Sequence, residues 1–178
     1  MEYPDLPGQL ARVRETVARH QSVAGWTHPV RIIAVTKGHG PDAVRAAAGA
    51  GLEDMGENRV QEALDKQEQL QEARVVWHLI GTLQRNKARH AAGRFALIHS
   101  VDRPDLAVEL DRRSAPESRQ QVLVQVNCSD EPQKGGVEPG ALPVLLDTLR
   151  DLPRLEVTGL MTMSALTDDT GSPRECWI

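Results

Sequence analysis

The chain has 178 residues, of which 40% are hydrophobic and 26% charged, a balance that suits one globular domain with its own core and excludes disorder. Its net charge is -4, and the 21 basic residues are scattered among 25 acidic ones without forming a stripe, which argues against a nucleic-acid partner. No stretch approaches the ~20 apolar residues of a membrane span. Two cysteines, Cys128 and Cys176, and a start of Met1-Glu2-Tyr3-Pro4-Asp5 without signal character lead to the expectation of a reduced, soluble, cytoplasmic protein that meets no membrane.

Leu10, Val13 and Val17 recur at helical spacing, which predicts an amphipathic helix over about Gly8 to Arg19. The apolar run Arg31-Ile32-Ile33-Ala34-Val35-Thr36 reads as a first strand and ends at Lys37-Gly38-His39-Gly40. Pro41 opens a second helix that carries Val44 and stops at Gly49 and Gly51. A short strand, Glu53-Asp54-Met55, leads through Gly56-Glu57-Asn58 to a helix bearing Val60, Ala63, Leu64 and Leu70. Val75-Val76-Trp77-His78-Leu79-Ile80 is a third strand, closed by Gly81, and a helical segment follows from Leu83 to Ala92. Phe95 to Val101 forms a fourth strand, with Pro104 starting its helix. A fifth, Val122 to Asn127, precedes a glycine-rich loop and a helix with Leu142, Leu145, Leu146 and Leu149; Leu155 to Thr162 makes a sixth.

Six β/α units in strict alternation predict an α/β fold with a parallel sheet covered by helices. Both an open doubly wound sheet and a closed (β/α) barrel fit that alternation. The barrel is favoured because polar or reactive residues (Lys37, Asn58, Gly81, Ser100, Asn127, Thr162) recur at every strand end instead of gathering at one switch point. A dinucleotide is disfavoured, since Gly38-His39-Gly40 has Ala43 where the third fingerprint glycine should stand.

Lys37 is the first site candidate. A lysine delivered to the C-terminal end of a strand, just before a glycine-rich turn, places an amine where parallel α/β folds build their sites. Such an amine can form a Schiff base with an aldehyde when part of it is neutral. The alternative is a solvated lysine that merely ends a strand. Cys128 has no cysteine or histidine partner at ligand spacing, so no metal site is expected. Met161 and Met163 read as packing, and the Lys134 loop lacks the features of a nucleotide phosphate loop.

Five strings carry a family resemblance: Ala34-Val35-Thr36-Lys37; Gly56-Glu57-Asn58-Arg59-Val60-Gln61-Glu62; Trp77 through Lys87; Val126-Asn127 with Lys134-Gly135-Gly136; and Gly159-Leu160-Met161-Thr162. In that order and spacing the chain resembles the pyridoxal phosphate homeostasis protein family. The resemblance implies a TIM-type barrel of the alanine racemase-like class, one domain over residues 1–178, and pyridoxal 5'-phosphate (PLP) held as a Schiff base on Lys37. It implies a PLP carrier that serves intracellular vitamin B6 homeostasis without established turnover, with PLP-dependent apoenzymes as candidate recipients. Asn58 would hydrogen-bond the ring substituents or cap the helix near Val60; His78 would tune the lysine or be a satisfied core residue. Gln84, Asn86 and Lys87 would serve a loop and helix start.

The departure from the family lies at the C-terminus. A barrel of this type needs eight strands and typically ~250 residues, whereas about six units are legible here before Pro173-Arg174-Glu175-Cys176-Trp177-Ile178. The expectation is a domain lacking the phosphate-binding loops after strands seven and eight, with self-association through exposed strand edges. A PLP-dependent racemase and a cofactor-free remnant acting as an interaction module remain as other readings. The first is disfavoured because the single tyrosine, Tyr3, is expected far from any strand end.

Overall fold

The computed structural model describes residues 3–129 and 135–163. The Lys134 loop and the segment after Met163, with Cys176, lie outside the described residues. Six helices and six strands alternate: α1 (Leu6–Ala24), β1 (Ala34–Val35), α2 (Pro41–Gly49), β2 (Asp54–Glu57), α3 (Val60–Gln69), β3 (Val76–Leu79), α4 (Ala88–Ala91), β4 (Leu97–Val101), α5 (Pro104–Arg113), β5 (Gln120–Gln125), α6 (Leu142–Arg150) and β6 (Leu155–Met161). Single 3-10 turns at Arg85–Lys87 and Pro139–Ala141 lead into α4 and α6.

All the strands are parallel and lie side by side in the order β1-β2-β3-β4-β5-β6. That order never reverses, so there is no switch point of the kind a doubly wound sheet uses, and the arrangement is that of a singly wound (β/α) barrel. Proline sets φ for the first turn of α1, α2, α5 and α6, while α1 stops at Gly25 in the left-handed region (φ 68°).

The helix-facing side of the sheet holds the core. Leu79, Ile98, Val101, Val122, Val124 and Leu155 pack with Leu106 and Leu110 of α5 and with Leu145 and Leu149 of α6. A smaller cluster joins Leu10 of α1, Val44 and Ala47 of α2, and Met55 of β2. Ile98 and Val101 both face the helices although three residues apart, which strict alternation forbids; a register shift between them absorbs the mismatch. Val157 and Leu160 of β6 pair with the helix-side Val122 and Val124 yet stay 38% and 58% exposed.

Several boundaries differ from the sequence reading. The first strand is confined to Ala34–Val35, because its residues have a partner on one side only and Arg31 to Ile33 leave the ladder. β2 runs on through Gly56 and Glu57, since the buried Glu57 meets Lys66 and the Thr36 hydroxyl through Oε1 on the helix side, although its Oε2 has no partner among the described residues. The segment predicted as one helix from Leu83 to Ala92 starts only at Arg85, because Leu83 is buried and its carbonyl accepts from the Arg103 guanidinium at 2.9 Å. Tyr3 is also nearer the strand ends than expected. A helix that precedes a parallel strand runs against it, so the start of α1 lies at the C-terminal rim, and the Tyr3 hydroxyl reaches 3.4 Å from His39 Nδ1.

Leu110 and Val108 of α5 give a direct check of this packing, the first fully buried and the second 49% exposed. Leu110→Ala should cost about 2–5 kcal/mol and Val108→Ala less than about 1 kcal/mol in chemical denaturation.

Candidate functional site

Lys37 sits in a four-residue turn. His39 N–H donates to the Thr36 carbonyl at 3.2 Å, which makes Lys37 the second and Gly38 the third residue, and Gly38 has φ 73°. A left-handed third position is the type II pattern and calls for glycine. Thr36 still belongs to the sheet through its N–H, bonded to the Gly56 carbonyl at 3.1 Å, and its hydroxyl donates to Glu57 Oε1 at 2.6 Å on the helix side. Lys37 follows one residue beyond that ladder bond, at the first central position of the turn. Lys37 is exposed, and among the described residues its ammonium has no hydrogen-bond or ion-pair partner.

The inner face beneath Lys37 is apolar. Gly56 lies between Val35 and His78 in the register, and a Cβ there would stand 3.1 Å from Ile33 and 3.2 Å from Ile80. The two isoleucines thus close over the glycine as a floor. At the next strand end Gly81 touches the chain at Asn58, so closely that a Cβ would come within 2.3–2.9 Å of Asn58 backbone atoms. The β2 and β3 loops can meet only because position 81 has no side chain.

Asn58 lies in that contact. The α3 cap is Arg59, without a side-chain capping bond, so Asn58 does not cap the helix through its amide. It instead lines a hollow of about 430 Å³ at the rim, with Arg59 and Gln61 on one side and Thr82, Gln84 and Lys87 on the other. Asn86 lies beyond this hollow, on the 3-10 turn.

His78 has a different setting. It is buried in the inner face, its Nε2 is 2.8 Å from Asp54 Oδ1 and its Nδ1 is 3.0 Å from His99 Nε2. A carboxylate only accepts, so neutral His78 donates from Nε2 and accepts at Nδ1, with His99 Nε2–H as donor. Both nitrogens of His78 are thereby used within the protein. Burial, and after it the neighbouring His78, hold the His99 pKa down from 6.5 to about 4.

On the helix side a charged cluster lies under the Lys37 turn. Lys66 Nζ is 2.7 Å from Glu57 Oε1, 3.0 Å from Glu62 Oε1 and 2.8 Å from the Thr36 carbonyl oxygen. Glu62 Oε1 also accepts the Gly38 N–H at 2.8 Å. The hydrogen bond from Lys66 is the main reason the Glu62 pKa lies below its ordinary value, with smaller contributions from the Gly38 amide and nearby cations opposed by burial. Glu57 and Glu62 stood in a motif without a role, and Lys66 went unremarked. The usable signal was a lysine between Ala63 and Leu70 on the apolar face of α3.

Residues 9–175 match the alanine racemase N-terminal domain family. The pyridoxal phosphate homeostasis protein of Aquifex aeolicus is 40% identical over 157 residues, 87% of this chain and 69% of that protein. The chain belongs to the pyridoxal phosphate homeostasis protein family. The Escherichia coli K12 member is 37% identical, with 90% of this chain and 71% of that protein covered. Among solved structures, PipY of Synechococcus elongatus with PLP bound is 36% identical with a TM-score of 0.72, covering 88% of this chain and 74% of that one. An alanine racemase from Bacillus anthracis, at 20% identity and TM-score 0.68 over 83% of this chain and 39% of its own, shows the shared fold alone. The fold is therefore the alanine racemase-like barrel type that the family resemblance implied, in keeping with the barrel that the strand ends favoured. No described helix is long and apolar enough to cross a membrane.

The Asp54–His78–His99 chain should make stability pH-dependent. His99 stays neutral in the fold well below 6.5, while the unfolded chain takes up its proton there. Its contribution is therefore complete above pH 6.5 and is lost as pH falls toward about 4, by roughly 3 kcal/mol. Denaturation of wild type and His99→Gln between pH 7 and 4 should show the two curves converging as pH drops.

Proposed function

We propose that this chain holds PLP reversibly on Lys37 and serves intracellular PLP homeostasis, as its relatives are named to do, without turnover of its own. PLP supplies an aldehyde that condenses reversibly with a primary amine. The observation that carries the reading is the exposed Lys37 amine, without a partner among the described residues and held in a turn at the end of β1, the strand whose neighbour β2 carries Gly56 between Ile33 and Ile80. A flat ring would suit the apolar patch of Ile33 and Ile80, which the lack of a side chain at Gly56 keeps low. Asn58, free of any capping duty at the adjacent strand end, would meet polar substituents of the ring. His78, with both nitrogens engaged, would act through the floor by keeping β2, β3 and β4 in place.

The phosphate is the less complete part of the site. In barrels of this type the dianion is held by loops after strands seven and eight, and the described sheet ends at β6. We propose that this chain lies within one barrel domain and passes its cofactor to PLP-dependent apoenzymes. The exposed Val157 and Leu160 of β6 offer a face through which it would self-associate. A racemase reading gains a little from Tyr3 at the rim, but its hydroxyl faces His39 and not Lys37.

Borohydride trapping of protein mixed with PLP, followed by peptide mapping, tests the assignment. The pyridoxyl group should sit on Lys37, and Lys37→Ala should lose it. Trapping chiefly on another lysine would refute the reading.

A further inference from the structure

We propose that Glu62 and Lys66 of α3 are positioning residues for Lys37, setting the direction of its amine from the far side of the sheet. The proposal rests on the assignment of Lys37 as the cofactor lysine and adds a cause for its placement. Lys37 stands one residue beyond the last ladder bond of β1, a strand of only two residues, so the sheet alone does not fix the peptides around it. Two side chains one helical turn apart on α3 do so instead. Lys66 holds the carbonyl that precedes Lys37, and Glu62 holds the N–H that follows it.

Lys66 is 5% exposed at its side chain and Glu57 0%, so the Lys66 bonds to Glu57 and to the Thr36 carbonyl work in a low dielectric where charge-assisted bonds are strong and directional, while the Glu62 bond to Gly38 lies nearer the solvent. Glu57 ties the same lysine to β2 and, through the Thr36 hydroxyl, to the end of β1. The turn is thus referenced to β2 and α3 together. Gly38 cannot provide rigidity itself, because its φ of 73° is permitted by the lack of a side chain and a Cβ there would meet nothing within 4 Å. Without Glu62 the Lys37–Gly38 peptide would have no side-chain anchor and Lys37 would sample several directions. A structural role elsewhere in the fold would not require both flanking peptides of one exposed lysine to be gripped.

The test uses the full chain with PLP as the probe. Hydrogen exchange of the Gly38 amide is followed by NMR without PLP, and the rate of PLP capture is followed by absorbance, for wild type, Glu62→Ala, Glu62→Gln and the exposed control Glu68→Ala. Glu62→Ala should speed Gly38 exchange and slow capture, each by about tenfold, as expected for losing one charge-assisted hydrogen bond. Glu62→Gln, whose amide oxygen still accepts from Gly38, should recover most of both. Glu62 is 30% exposed at its side chain, so these variants should fold, and melting curves correct the rates for any unfolded fraction. If Glu62→Ala lowers the melting temperature but leaves Gly38 exchange and corrected capture within twofold of wild type, the positioning role is overturned. Lys37→Ala separates the two claims: undiminished capture in that variant defeats the Lys37 assignment, while Gly38 exchange still decides whether Glu62 anchors the turn.

Discussion

The buried cation Lys66 organises the strand end that carries Lys37. It takes one carboxylate from β2, one from its own helix and a carbonyl from the end of β1, all within 3.0 Å. Removing one partner from such a group typically costs about 3–5 kcal/mol, because the remaining charge stays buried without compensation. Two well-packed apolar residues could stabilise the α3–β2 contact as well. They could not specify where the Thr36 carbonyl and the Gly38 amide must lie, and that specification is what the exposed amine of Lys37 depends on.

The other strand ends are locked to one another along the rim. Asn58 lies against Gly81; the Ser100 hydroxyl donates to the Gly81 carbonyl at 2.7 Å, and Arg103 reaches the Leu83 carbonyl. Asp102 accepts the Gly136 N–H at 3.2 Å, and Gln125 donates to the Gly135 carbonyl at 2.7 Å. The polar residues at the ends of successive strands thus bond mainly to neighbouring loops. Lys37 stands at this rim as an exposed amine without a partner among the described residues, an arrangement suited to a reversible covalent load that needs a fixed attachment point and an open approach.

The sequence was most readable where one physical rule acted alone. Alternating apolar runs and helical spacing located the six described strands and the helices that precede them, and the spread of polar residues over every strand end pointed to a barrel, because both follow from local periodicity. The strand-end position of Lys37 was legible for the same reason: a strand, a lysine and a glycine turn are contiguous. His78 and Asn58 were legible as positions but not as partners, since whether a histidine meets a cofactor or an Asp54–His99 pair depends on register across three strands. The Glu57–Lys66 pair was hidden because a charged residue on an apolar helix face reads as noise until the facing strand is placed against it. Tyr3 was misjudged because its distance in sequence from β1 conceals that α1 runs back to the rim.

A crystal structure of this chain with PLP tests the account most directly. It should show continuous density from Lys37 Nζ to the cofactor, with Lys66 still within hydrogen-bond distance of the Thr36 carbonyl oxygen and Glu62 on the Gly38 amide. Cofactor density joined to a different lysine, or Lys37 loaded while Lys66 has swung away from Thr36, would contradict it.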